Sequence, residues 1–284
     1  MSVASASTEK NKLPSSVAQV GIIAKYELLN YFRSRRFYIL LIIGLAIAGI
    51  LTALVYYRPQ VFLSSVLSFY STWWGMSVTF VVVLSGIFFG GDAISGEFQN
   101  KTGYFTVGNP IRRSSIYIGK WIAALVASLM IFAVYTAITL ANGVYYFGMS
   151  VPYQFEESFL FALLYLVAVL GFTFFFSSLF KSSSMSILVT AILLLFAFSL
   201  VQTLIGFFAQ IEPWFLITYG GGIIGSVLMN PYPPNVVSEH LAGPRSPIVN
   251  SYAAAIPEGI AILLIYFVLT AILGLILFER KEFN

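Results

Sequence analysis

The chain has 284 residues, of which 59% are hydrophobic and 9% charged, with mean hydropathy +0.90. No soluble core needs that much apolar surface, so the composition excludes an ordinary soluble domain and indicates a polytopic membrane protein. The net charge of +4 is dispersed along the flanks of apolar runs rather than gathered with stacking aromatics, which excludes a nucleic-acid partner, and the absence of cysteine excludes disulfides, thiolate metal sites and thiol catalysis.

Residues 1–16, rich in Ser, Lys and Asn, hold too few apolar residues to bury anything and read as a disordered tail. They are not a cleavable signal, because the first long apolar run begins only near residue 37. Residues 17–36 read as an amphipathic helix lying in the membrane interface. Val17, Val20, Ala24, Leu28, Tyr31 and Phe32 share one face, with Gln19, Glu27, Asn30 and Arg33 opposite. A polar lead-in that becomes helical only at the first span is the alternative.

Six runs follow at 37–56, 66–90, 116–146, 159–180, 186–208 and 257–278, each long enough to span a bilayer at roughly 20 residues per helix. Their continuous apolar character predicts an all-α, six-span permease domain over 37–284 rather than a barrel. With the N-terminus inside, Lys10, Lys12, Lys25, Arg33, Arg35, Arg36, Lys101, Arg112, Arg113, Lys120, Lys181, Arg280 and Lys281 are cytoplasmic, and only Arg58 and Arg245 are outside. That asymmetry predicts both termini in the cytoplasm of a plasma-membrane protein.

Between the second and third runs, Gly91 to Lys120 forms a polar island with Asp92, Glu97, Lys101, Arg112, Arg113 and Lys120. Ile94, Phe98 and Phe105 recur near helical spacing, which predicts a short amphipathic helix in the 91–115 loop, and Asn109–Pro110 restarts a helix. An ordinary solvated loop is the plainer reading. Residues 209–255 form the large outer loop, where Trp214 to Leu228 reads as a re-entrant or interfacial helix ahead of a proline-rich stretch. Trp73, Trp74, Tyr56 and Tyr57 read as interfacial anchors, and Gly86 with Gly90 as a point of close helix approach.

No phosphate-binding GxxxxGK[ST] loop is present, so any ATP is handled by another chain, and the single histidine, His240, reads as a solvated loop residue. The spans are almost free of ionisable groups, which argues against an ion-coupled carrier. Among the milder polar groups, Gln202 stands near Phe196 and Phe198; it either faces a pathway or bonds a neighbouring helix.

The island resembles the loop after the second span in membrane subunits of ABC-2 type ABC transporters. That loop carries an acidic residue, a Glu, a Gly-Thr pair, a proline, an arginine and a Gly-Lys opening the third span. Here Asp92, Glu97, Thr102, Pro110, Arg113, Gly119 and Lys120 stand at those intervals, with Lys101 where glycine is usual and Phe98 where a basic residue is common. The lead-in with Lys25, Glu27, Leu28, Arg33, Ser34 and Arg36, and the ending from Phe278 to Phe283, are also similar to the family.

The resemblance implies a permease that forms a dimer with an identical or paralogous subunit and binds two separate ATPase subunits, which hold the ATP and magnesium. It implies ATPase coupling through Asp92, Glu97, Phe98, Lys101, Thr102, Phe105, Pro110 and Arg113, with a second contact at the 181–185 turn, Lys181 included. It places the pathway between the second and fifth spans, where Phe80, Phe196, Phe198 and Gln202 are candidate lining residues. The expected function is export of a hydrophobic or amphipathic substrate, with no catalytic, cofactor or metal site in this chain. An ATP-independent carrier or channel and a non-transporting membrane module coupled to an ATPase are the alternatives.

Overall fold

The computed structural model describes residues 15–75, 77–101, 111–240 and 248–281. Thr102, Phe105 and Pro110 lie outside the described residues, as does the tail over 1–14. Within the described residues six helical segments are long and apolar enough to cross a membrane, as many as the apolar runs. They are framed by a shorter first helix, α1 (Ser16–Arg33), separated from the first span α2 (Arg35–Tyr57) by the extended residue Ser34.

A single helical turn, α3 (Pro59–Phe62), leads into the second span, built from α4 (Val66–Tyr70), a wide π turn (Ser71–Gly75) and α5 (Val78–Gly90). After the short α6 (Ser95–Gln99) come α7 (Arg113–Phe147) and α8 (Tyr153–Leu179), the third and fourth spans. The fifth joins α9 (Ser183–Ile192), a π turn (Leu193–Ala197), α10 (Phe198–Leu204) and a second π turn (Ile205–Ala209). The last span is α13 (Ile256–Arg280), which begins with proline in its first turn, where a missing N–H costs nothing.

The spans alternate in direction, so the bundle has one basic end, with α1, α6 and the C-terminus, and one far end. At its centre α8 packs along α13 and crosses α5. Gly86 and Gly90 make that crossing possible: a Cβ on Gly90 would stand on the Thr173 hydroxyl, and one on Gly86 on the Val169 side chain. The GxxxG spacing is therefore used inside the chain.

Two features differ from the sequence expectation. Trp73 and Trp74 are fully buried rather than anchored at an interface. Trp74 Nε1 donates to Ser158 Oγ at 3.0 Å, and both rings pack against Tyr135, so the polar handle that draws tryptophan to water is satisfied for Trp74 within the bundle. Tyr56 and Tyr57 remain exposed.

The stretch before the last span also holds more than one helix. Two short helices, α11 (Ile217–Gly221) and α12 (Ile223–Ser226), are buried against α8 and α13, and a two-stranded antiparallel hairpin follows, β1 (Val236–His240) with β2 (Ile248–Tyr252). Strands of five residues behind the prolines at 231, 233 and 234 are too short to stand out in a reading by apolar runs.

Candidate functional site

The chain leaves α5 at Gly91 and immediately meets polar side chains that fasten it. Ile94 and Ser95, at the start of α6, donate their backbone N–H groups to Ser177 Oγ on α8 at 2.9 and 3.0 Å. The Ser186 hydroxyl of α9 donates to the Gly91 carbonyl. In return Gln99 Oε1, at the end of α6, accepts from the Ser183 N–H at 2.6 Å and so satisfies a free donor in the first turn of α9. A five-residue helix is too short to be stable alone, and these bonds supply what its own ladder lacks.

Charge then ties this element to the rest of the basic end. The ammonium of Lys120, on α7, lies 3.0 Å from Glu27 of α1 and 2.9 Å from Glu97 of α6, with only 8% of its side chain exposed. Gly119 beside it has no side chain for a physical reason: a Cβ there would meet Ile23 at 2.8 Å and the Val20 carbonyl at 3.0 Å, so α1 would be held off. Glycine admits α1, and lysine joins it to α6. Arg36 at the start of α2 pairs with Asp92. Tyr31 donates to the Phe89 carbonyl at 2.8 Å, and burial pushes its phenol well above the usual range, so it remains a donor. Together these groups enclose a cavity of about 490 Å³ between α1 and α6.

The C-terminus closes the other side. Arg113, which starts α7, donates through Nη1 to the Glu279 and Lys281 carbonyls, each at 2.8 Å. Lys281 reaches back to the carbonyls of Ser178 and Phe180 at the end of α8, each at 2.8 Å, and lies 4.3 Å from the centre of the Phe98 ring. Partial burial, and then the nearby Lys181, hold the Lys281 ammonium down to about 8.

Of the predicted coupling residues, Asp92, Glu97, Phe98 and Arg113 are thus brought together, but facing inward as fasteners. Lys101 and Lys181 are exposed. Lys101 has φ 57°, the left-handed region that ends α6. Of the four predicted lining residues, Phe80 and Gln202 border one cavity of about 370 Å³. Phe196 is two-thirds exposed, and Phe198 packs on Phe172 with ring centres 5.6 Å apart, so neither borders that cavity.

Sequence reasoning missed Glu27, Ser177, Gln99 and Lys281 as parts of the site. Glu27 falls on the packed side of α1 although the amphipathic pattern places it on the polar face, because its partner Lys120 is buried there. The serines at 177, 178 and 182–184, at the junction of two spans, were the available signal for backbone capping.

The arrangement contains no group of three or more potential metal ligands among the described residues. Its charged groups are paired with one another across α1, α2, α6 and α7. The family model for the ABC-2 family transporter protein matches residues 21–283, which includes most of α1, the charged end and all six spans. Nothing among curated proteins matches the chain. The chain therefore belongs to the ABC-2 transporter family, as a non-catalytic membrane permease.

Proposed function

We propose that the protein is the transmembrane subunit of an ATP-driven exporter, working as a permease dimer with two separate ATPase subunits. The basic end is the cytoplasmic one, α1 lies at the inner membrane surface, and α11 with α12 forms a re-entrant element on the outer side. α6, with the loop that follows it and the 181–185 turn, receives the push of the ATPase through exposed Lys101 and Lys181. The observation that carries this reading is the Lys120 bridge: one buried cation joins α6 to α1 and α7, so a displacement of α6 moves two further helices as a rigid body. The substrate is uncharged or weakly polar, because the cavity bordered by Phe80 and Gln202 has no charged side chain among its lining residues.

Capture of the full chain from native membranes in mild detergent is expected to recover a nucleotide-hydrolysing partner. In the reconstituted complex Glu97→Arg, which places a second cation against Lys120, is expected to lower hydrolysis and weaken co-purification while the chain remains inserted. Recovery without any ATPase would overturn the reading, as would unchanged hydrolysis in the variant.

A further inference from the structure

The cavity bordered by Gln202 is one of two. On the other side of the same residue, between the fifth span and β2, lies a cavity of about 340 Å³ that shares Ser199 and Gln202 with the first. Each falls within the size of small-ligand pockets, roughly 300–1,000 Å³. At the residue they share, Thr218 of the first cavity donates to Gln202 Oε1 at 3.2 Å. The other end of that carboxamide, its N–H₂ group, has no partner among the described residues.

Backbone irregularity converges on the same place. The second span has its π turn at Ser71–Gly75, and the fifth has one on each side of Gln202. In the first of these the Phe198 N–H reaches the Leu193 carbonyl, five residues back, so the turn is widened beside the cavity. Such turns recur at functional sites. Gly206, in the last π turn, meets the Asn250 carbonyl of β2 closely enough that a Cβ would stand 3.0 Å away, so the hairpin is seated on the span and closes the outer cavity.

We propose that these two cavities form one binding site for an uncharged amphiphile whose head carries amide or hydroxyl groups, with the Gln202–Thr218 bond as the door between them. The proposal rests on the export reading and names the substrate class of its pathway. The lining decides the class. Thr79, Ser199, Gln202 and Thr218 offer neutral donors and acceptors on one side, and Thr203 and Asn250 on the other. A purely apolar ligand would strip these groups of water without return. A charged head would enter with no counter-charge, since no charged side chain lines either cavity among the described residues. A neutral polar head suits the carboxamide and hydroxyls, and Phe80, Val83 and Leu194 provide the wall for a chain. When such a head takes the Thr218 hydroxyl or the Gln202 carbonyl oxygen, the partition opens, so binding and passage use the same two side chains.

The protein has no cysteine, so Ser199→Cys places a single reporter thiol where both cavities meet. The experiment measures its alkylation by N-ethylmaleimide in the full chain in lipid nanodiscs, with three twelve-carbon amphiphiles at submicellar concentration. N-dodecanoyl-N-methylglucamine, with a neutral amide and hydroxyl head, is expected to slow alkylation saturably. Dodecyltrimethylammonium and dodecanesulfonate are expected not to. Adding Gln202→Leu is expected to weaken the protection by about tenfold in concentration, the equivalent of one lost hydrogen bond. Thr203→Cys, lining the outer cavity alone, serves as a second reporter should the first disturb the span. Equal protection by all three amphiphiles, protection only by a charged one, or protection that survives Gln202→Leu would overturn the assignment. No ATPase is present in this measurement, so its failure is distinct from failure of the export reading, which partner capture tests.

Discussion

At the basic end, helices meet through charge and backbone capping: Lys120 between two carboxylates, Ser177 and Gln99 on free N–H groups, Arg113 and Lys281 on free carbonyls. At the far end, the second, third and fourth spans meet through buried rings, with Trp73, Trp74, Tyr135 and Phe155 in one cluster, while the fifth span stands apart around two cavities. The difference is mechanical. Directional bonds at the basic end hold a five-residue helix to three longer ones, whereas aromatic packing at the far end joins three spans and leaves the fifth beside two cavities. On the export reading proposed above, a push entering at α6 passes through the better-fastened end and is released where fastening is weakest.

The comparison breaks most decisively at Lys120. Lys120→Met leaves Glu27 and Glu97 facing each other in a mostly buried site, and loss of one partner from such a group costs about 3–5 kcal/mol. At the far end Trp74→Phe keeps a ring in the cluster but removes the bond to Ser158, which still donates to the Ile224 carbonyl, and leaves a small cavity, so about 1–3 kcal/mol is expected. Thermal unfolding in matched lipid discs measures both. Restoring neutrality with Glu27→Gln and Glu97→Gln in the Lys120→Met chain is expected to recover part of the loss. If Trp74→Phe proved the costlier change, the ranking of the two ends would be reversed.

Much of this was legible in the amino-acid order, and the reason differs by region. Continuous apolar runs have a single reading in lipid, so six apolar helices long enough to span follow from hydropathy. Glu97 and Lys120 stood out because charge is scarce and both flank a span. What stayed hidden depends on partners far apart in sequence. Glu27 reads as a solvent-facing residue until Lys120, 93 positions on, is placed beside it. Trp73 and Trp74 read as anchors until Tyr135 and Ser158 enclose them. The cavities around Gln202 arise from π turns and a hairpin seat, neither of which leaves a periodic signal.

A smaller effect sharpens the account of the basic end through pH. Lys281 titrates near 8 when folded, below its ordinary 10.5, because burial and Lys181 disfavour the ammonium. Between those values the unfolded chain binds more protons than the folded one, so this group's contribution to stability rises with pH across that window. The difference in melting temperature between the native chain and Lys281→Met is expected to shift in favour of the native chain from pH 8 towards pH 10.5. Lys181→Gln, by removing a neighbouring positive charge, is expected to flatten that slope. A difference independent of pH would show that Lys281 keeps an ordinary lysine's titration.

The smallest expected effect falls at Lys101, where the chain departs from the glycine usual in the resembling loops. With φ 57° this residue lies in the left-handed region, where a Cβ crowds the following carbonyl and glycine does not. Glycine also loses more freedom on folding, so the two terms oppose, and at a position that truly requires this conformation the steric term is the larger. Lys101→Gly is expected to stabilise the chain by about 0.5–1 kcal/mol, while Lys101→Ala, which keeps the Cβ, gains nothing. Lys101 is exposed and makes no salt bridge among the described residues, so nothing internal offsets the relief. If Lys101→Gly stabilises the chain yet lowers hydrolysis by the captured ATPase, the lysine is kept for its charge at the partner surface, and the strain at the end of α6 is the cost of holding it there.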